Sequence, residues 1–279
     1  MIVVQPVSGL CNRMRAIGSA IALSRSLGKE LVVFWEANKE INCSFREIFI
    51  PPKSFALVDI NLNDNLQFFL NTNTFYTIRR RSKLAKKAIE YVFRKKFDVA
   101  IWPEQFVDLE ANKFDFLTLN CYEKIFISSH SPFFWNDKMI SEFAVTENIK
   151  RKIDRISCKF NSYTIGVHIR RTDHKVAIAQ SPTERFIEFM EKEIELCEKT
   201  NFFIATDCPK TERIMRNAFE NRVLVQEKEF SRRSLNGIKD AVVDLYCLSK
   251  TKKLFASYYS SFSCMAAEIS GIERITVMP

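Results

Sequence analysis

From residue 163 onward the sequence alternates short apolar runs with amphipathic stretches, and this rhythm constrains the fold more than any other feature. The runs are "YTIGVHI" (163–169), "FFIAT" (202–206), "RVLVQ" (222–226), "KKLFAS" (252–257) and "RITVM" (274–278), all read as buried strands. Helices are predicted between them: from Ser181-Pro182-Thr183-Glu184 to about Lys199, near 209–220, near 238–250 and near 262–270. The first opens on a capping-box pattern with proline at the first helical position. Strands that alternate with helices imply a parallel sheet wrapped on both sides.

The first forty residues share the rhythm. A strand at 2–5 leads through a loop at 6–11, containing Gly9, to a helix starting at Asn12 or Arg13; Gly28 stops that helix, and "ELVVFW" follows as a strand. Residues 40–155 are less regular, with strands expected at "FDVAIW" (97–102) and "EKIFISS" (123–129). With 279 residues, 47% of them hydrophobic, the chain can bury two cores. We place the boundary near 155, within ten residues, giving α/β domains at 1–155 and 156–279. Phe is abundant (25) and Gly scarce (6), which excludes disordered and fibrous classes.

Eight cysteines show no CxxC pair and no ligand-like spacing with the three histidines. They read as reduced thiols of a cytoplasmic protein rather than a zinc site or a disulfide framework. No stretch approaches the roughly 20 apolar residues of a membrane span. The start, MIVVQPVSGLCNR, lacks a basic leader and reads as a first strand, not a signal peptide. The net charge of +9 is concentrated: residues 79–97 carry nine Lys/Arg and one Glu, leaving a balance of +1 elsewhere. Leu84, Ala85, Ala88, Ile89, Val92 and Phe93 recur there at helical spacing. A basic amphipathic helix of this kind suits an anionic membrane surface, or packs on its own domain with solvated lysines.

Ligands of parallel sheets bind beyond the carboxyl ends of the strands. Three polar clusters are expected at that rim: His168 to Asp173, Thr206 with Asp207, and Ser257 to Ser261. Arg170 and Arg171 offer planar forks suited to phosphate oxygens. An internal salt bridge to Asp173, Asp207 or Asp244 is the alternative, because a buried charge must be paired. Ser260 and Ser261 precede a helix whose first N–H groups can seat phosphate. Gly9, with Asn12 and Arg13 beside it, repeats that arrangement, although a simple tight turn explains Gly9 equally well. Asp244 lies on an apolar helix face and needs donors, either a structural arginine or the N–H edge of a base. There is no Asp-x-Asp among the eleven aspartates, so arginine rather than a bridging metal is expected to neutralise a departing diphosphate.

"VHIRRTD" resembles the His-x-Arg-Arg-x-Asp motif of the α1,6- and α1,2-fucosyltransferases, including the nodulation-factor enzymes. "FFIATDCP" (202–209) and "VVDLYCLSKTKKLFASYYSSFSCMAAEISG" (242–271) fit further blocks in order, and "SGLCNRMRAIGSAIALSRSLGKELVVFW" is similar to the opening of related enzymes. The resemblance implies a GT-B architecture of two Rossmann-like domains facing across a cleft, with the acceptor on the N-terminal side. It also implies GDP-fucose as donor, independence of metal and inversion at the anomeric carbon; no other cofactor is expected, and the acceptor is expected to be an oligosaccharide or, given the basic segment, a lipid-linked glycan. Arg170 would hold the β-phosphate, Arg171 and Asp173 would complete and orient that site, and His168 and Asp244 would read the guanine edge. Asp207 and Ser260 match the aspartate and the phosphate-contacting serine of the later blocks. Cys208 stands where relatives often have a second acid, and "HKVAIAQS" lacks the expected base. His174, Glu184, Glu36 and Glu104 stay open for that role. A different nucleotide sugar on the same architecture, or a polyanion-binding protein acting through 79–97, are the competing readings. The latter lacks the interleaved exposed aromatics of a base-stacking surface, so nucleic acid is not expected as a partner.

Overall fold

A computed structural model describes residues 1–38, 40–61, 83–135, 137–172, 175–231 and 233–279. The chain divides into two compact units, Met1–Ala144 and Val145–Pro279. The first contains β1 (Ile2–Pro6), α1 (Leu10–Leu27), β2 (Leu31–Ala37), α2 (Phe45–Ile48), β3 (Ala56–Asn61), α3 (Lys83–Lys96), β4 (Val99–Ile101), α4 (Phe106–Ala111) and β5 (Ile125–Ser129). The second contains α5 (Glu147–Ser157), β6 (Ile165–Ile169), α6 (Lys175–Gln180), α7 (Thr183–Leu196) and β7 (Phe202–Thr206). It continues with α8 (Pro209–Phe219), β8 (Val223–Leu224), α9 (Leu235–Ser249), β9 (Lys253–Ala256), α10 (Ser261–Ser270) and β10 (Glu273–Thr276). No helix among the described residues is long and apolar enough to cross a membrane.

Among the described residues, each unit holds one five-stranded parallel sheet. The orders are β3-β2-β1-β5-β4 and β10-β9-β6-β7-β8. In both, the unit's first strand is central, and the order reverses beside it: between β1 and β5, and between β6 and β9. Such a reversal sends the following connections to opposite faces and leaves a crevice at the carboxyl ends. The central strands are apolar on both faces because helices cover both, and every residue of β1, β5, β6 and β7 is buried.

Alternation along β6 sends Ile165, Val167 and Ile169 into a core with Phe186, Met190, Phe202, Ile204 and Phe255. The first unit stacks Phe93, Phe97, Trp102 and Phe126 against Val3 and Phe34. Ring centroids there are 4.6 Å apart for Phe93–Phe126 and 5.1 Å for Phe93–Trp102. Each such buried ring contributes about 1.5–3 kcal/mol by leaving water.

Several boundaries differ from the sequence reading, each for a local reason. The division between units, at the edge of the ten-residue margin expected, falls before α5 because that helix packs on α9, where Lys152 Nζ lies 3.1 Å from Asp240 Oδ1. α1 begins at Leu10 with Gly9 as N-cap, earlier than expected. Gly9 has an ordinary φ of −71°, and the left-handed residue of that loop is Ser8, at φ 72°. β8 keeps only two of the five residues expected. α7 starts at Thr183 without a side-chain cap, so the expected capping box does not form. The Ser181 hydroxyl donates to Val277 O (2.6 Å) and accepts from Tyr258 N (2.8 Å) instead.

Gly166 is where α9 reaches the sheet. A Cβ there would lie 2.7 Å from Thr251 Oγ1 and 3.1 Å from methyl groups of Leu248 and Leu254. Thr251 cannot yield, since its hydroxyl is bonded to Leu248 O at 2.7 Å. Gly166→Ala is therefore expected to lower stability by about 1–3 kcal/mol in urea unfolding. Gly9→Ala, whose added carbon meets nothing within 4 Å, should stay within about 0.5 kcal/mol of the parent.

Candidate functional site

His168, the penultimate residue of β6, lies on the face opposite its apolar neighbours and meets the start of α10. Its Nδ1 is 2.6 Å from Ser263 Oγ and 3.5 Å from Ser260 Oγ, and its ring stacks on Phe262 at 4.8 Å. Ser260 is the N-cap of α10, its hydroxyl accepting from Ser263 N, and Ser261 is the first helical residue. The free N–H groups of a helix start and the end of the central strand thus converge where the strand order reverses. Ser263, which the sequence reading missed, was detectable only as a serine three residues beyond the cap.

Arg170 is the first residue after β6, two beyond His168. Its N–H donates to Ser257 Oγ (3.0 Å), while that hydroxyl also reaches His168 O (3.3 Å). Its carbonyl accepts from Arg171 Nη1 at 2.9 Å. The backbone of Arg170 is therefore fixed on both sides, from β9 and from its own neighbour.

The two arginines have different environments. The Arg171 guanidinium is turned to the protein: Nε and Nη2 donate to Thr183 Oγ1 (3.1 and 3.0 Å), and Nη2 to Ser181 O (2.7 Å). Its fork also lies 5.8 Å from the Phe186 ring. Burial draws its pKa down while Asp207 and Glu184 hold it up, and an arginine stays charged throughout. Asp207, at the end of β7, receives Arg171 N on Oδ1 (2.7 Å), and Thr172 N (3.3 Å) and Thr172 Oγ1 (2.6 Å) on Oδ2. Its carboxylate thus caps the turn that leaves β6. Asp173 and His174 lie outside the described residues.

Asp244 is not brought to this turn. Buried on α9, it accepts from Gln226 Nε2 (2.7 Å) on Oδ1 and pairs with Lys228 Nζ (2.7 Å) on Oδ2. Burial raises its carboxyl pKa, with Lys228 and then Gln226 pulling the other way. The sequence left an arginine or the edge of a base open as donor for Asp244; the structure supplies a lysine and an amide instead. Neither Gln226 nor Lys228 was marked by the sequence, since both sit on an irregular segment after β8.

In the first unit, Gly9, Asn12 and Arg13 do come together. Asn12 Nδ2 donates to Ser8 Oγ (3.2 Å). The buried Arg13 donates to Ser8 O (2.9 Å), Glu36 O (2.7 Å) and Asn38 Oδ1 (3.1 Å), and lies over Trp35 at 4.8 Å. Arg13 therefore shapes the loop between β1 and α1. Of the acids left open as proton acceptors, Glu36 is buried and accepts from Gln5 Nε2 (3.1 Å), Glu104 pairs with Lys86 (2.7 Å), and Glu184 is exposed on the first turn of α7.

The two units share one backbone device. Ser8 (φ 72°) and Tyr259 (φ 50°) are left-handed non-glycine residues, each placed just before the N-cap of the helix that follows a strand at the reversal point. Such residues cost on the order of 1–3 kcal/mol and gather where a turn is shaped for a task.

No protein-family model matches the sequence, and no curated protein does. Solved structures do match. The fucosyltransferase NodZ from Bradyrhizobium superposes with a TM-score of 0.62 at 17% identity, covering 95% of this chain and 92% of that one. POFUT1 in complex with GDP-fucose gives 0.57 at 12%, covering 99% and 97%. An Arabidopsis thaliana FUT1 mutant in complex with GDP gives 0.57 at 12%, covering 99% of this chain and 69% of that one. The two-sheet α/β fold of this chain is the GT-B-like fold of these fucosyltransferases.

The Lys228–Asp244 pair makes a stability prediction. Because burial raises the folded pKa of Asp244 above the unfolded value, the stability linked to this group is complete below the unfolded carboxyl range. It is lost as pH rises through the folded pKa. Removing the cation steepens that loss. Lys228→Met is expected to cost about 3–5 kcal/mol at neutral pH and progressively less on acidification. A loss that stays constant with pH in urea titrations would contradict this account.

Proposed function

We propose that the chain is an inverting, metal-independent glycosyltransferase that moves L-fucose from GDP-fucose to a hydroxyl of a glycan acceptor. The observation that carries this reading is the fixed backbone of Arg170 at the reversal point of the second sheet, two residues beyond a histidine bonded to the start of α10. The fold shared with NodZ, solved from crystals soaked with GDP-fucose, and with POFUT1, solved in complex with it, supports the choice of donor.

In this reading Arg170 binds the β-phosphate and neutralises the charge that develops as GDP leaves. The N–H groups of Ser260, Ser261 and their successors complete the diphosphate seat. His168 faces the guanine. Arg171 and Asp207 act as positioning residues, the first through the Arg170 carbonyl and the second through the N–H groups of Arg171 and Thr172. Asp244 serves the base indirectly, by holding Gln226 and Lys228 in the segment after β8. Gly9, Asn12 and Arg13 form the corresponding loop of the first unit, on the acceptor side. The acceptor hydroxyl attacks the anomeric carbon as the bond to the diphosphate oxygen breaks, which inverts that centre. Its proton passes to a base that the described residues do not single out.

Two measurements test this. Calorimetry in EDTA should give GDP and GDP-fucose binding well above that of UDP sugars; the reverse preference would favour a different donor at the same site. Arg170→Ala should lower fucosyl transfer by about 10²–10³-fold with an unchanged unfolding transition. Full activity in that variant, or absence of GDP binding in the parent, would overturn the proposal.

A further inference from the structure

The helix α3 has two apolar faces where its sequence suggests one. Ile89 and Phe93 point inward to the aromatic core with Phe97, Trp102 and Phe126. Leu84, Tyr91 and Val92 do not follow them; they are 82%, 60% and 41% exposed, and Ala88 is exposed between them. At 100° per residue, Leu84, Ala88 and Tyr91 fall on one outward line with Val92 at its flank. Lys83, Lys87 and Arg94 border that line on one side, and Lys95 and Lys96 lie along and beyond it, all exposed. Lys95 Nζ sits 4.7 Å from the Tyr91 ring centroid. Lys86 stands apart, engaged by Glu104 at 2.7 Å.

We propose that this outward face docks on an anionic phospholipid surface. Single exposed apolar residues are ordinary, but an apolar line inside a group of five cations is the composition that suits the headgroup boundary. The side chains of Leu84, Tyr91 and Val92 enter the acyl edge, and the lysines meet lipid phosphates. A nucleic acid would satisfy the same cations yet offer nothing to Leu84 and Val92, because its outer surface is a row of phosphates. The inward face keeps α3 attached to its unit, so docking needs no unfolding of the helix. This inference is independent of the donor specificity proposed above.

The test uses the whole chain and sedimentation with phosphatidylcholine vesicles, with and without about one-third phosphatidylglycerol. The expected result is binding to the anionic vesicles only, with release by salt. Each cation near such a surface raises partitioning roughly fivefold. Lys87→Glu with Lys95→Glu should therefore lower it by at least about tenfold. Leu84→Ser, Tyr91→Ser and Val92→Ser together should lower it several-fold while leaving salt sensitivity intact. All five side chains point to solvent, so circular dichroism and thermal unfolding should match the parent. Equal binding by parent and variants, or indifference to lipid charge, would overturn the proposal. So would tight oligonucleotide binding that the charge reversal abolishes and the serine variant leaves unchanged.

Discussion

The carboxylate of Asp207 holds the arrangement on which the second unit's rim depends. One oxygen takes the N–H of Arg171, and the other takes the N–H and hydroxyl of Thr172. A strand that leaves a parallel sheet exposes N–H groups with no ladder partner, and a buried donor left unmet costs about 1–3 kcal/mol. Asp207, just past the adjacent strand β7, meets two such donors at once, the part-buried N–H of Arg171 and the exposed N–H of Thr172. The direction in which the chain departs from β6 is therefore set, and with it the course of the backbone at Arg170.

The adjacent arginines enter this turn differently, Arg170 through its backbone and Arg171 through its side chain. Arg171 turns inward and bonds the Arg170 carbonyl, the Ser181 carbonyl and the Thr183 hydroxyl. Lysine could not replace it, since a point charge lacks the planar fork that reaches three oxygens in different directions. Arg170 is the group whose backbone all of this arranges. The same loop connects to the rest of the unit through Ser257, which joins β6 to β9, and through Ser181, which joins α7 to the end of β10. Four segments distant in sequence thus specify one turn.

Much of this architecture was legible because apolar runs in the second half are separated by regular intervals. Val167, Phe203 and Phe255 belong to strands that no other element could accommodate. The rim itself was legible from three polar clusters at strand ends. What the sequence withheld were partners far away in the chain. The Ser181 hydroxyl caps nothing locally because Val277 O, 96 residues later, takes it. Asp244 reads as a residue awaiting a ligand until Lys228 and Gln226 are placed beside it. Gly9 suggested a special backbone conformation that Ser8 in fact adopts. In α3 the periodicity merged two faces into one, since Leu84 and Ile89 are both apolar but lie on opposite sides of the helix. The catalytic part expected of Asp173 falls on a residue outside those described.

The most direct measurement is the GDP affinity of Asp207→Ala, obtained by calorimetry in EDTA beside the parent protein. If Asp207 places Arg170 by pinning the turn after β6, affinity falls by at least about tenfold, or about 1.4 kcal/mol, while far-ultraviolet circular dichroism and cooperative unfolding persist. An affinity equal to the parent's would contradict the account, because the turn would then serve the proposed diphosphate seat without its cap.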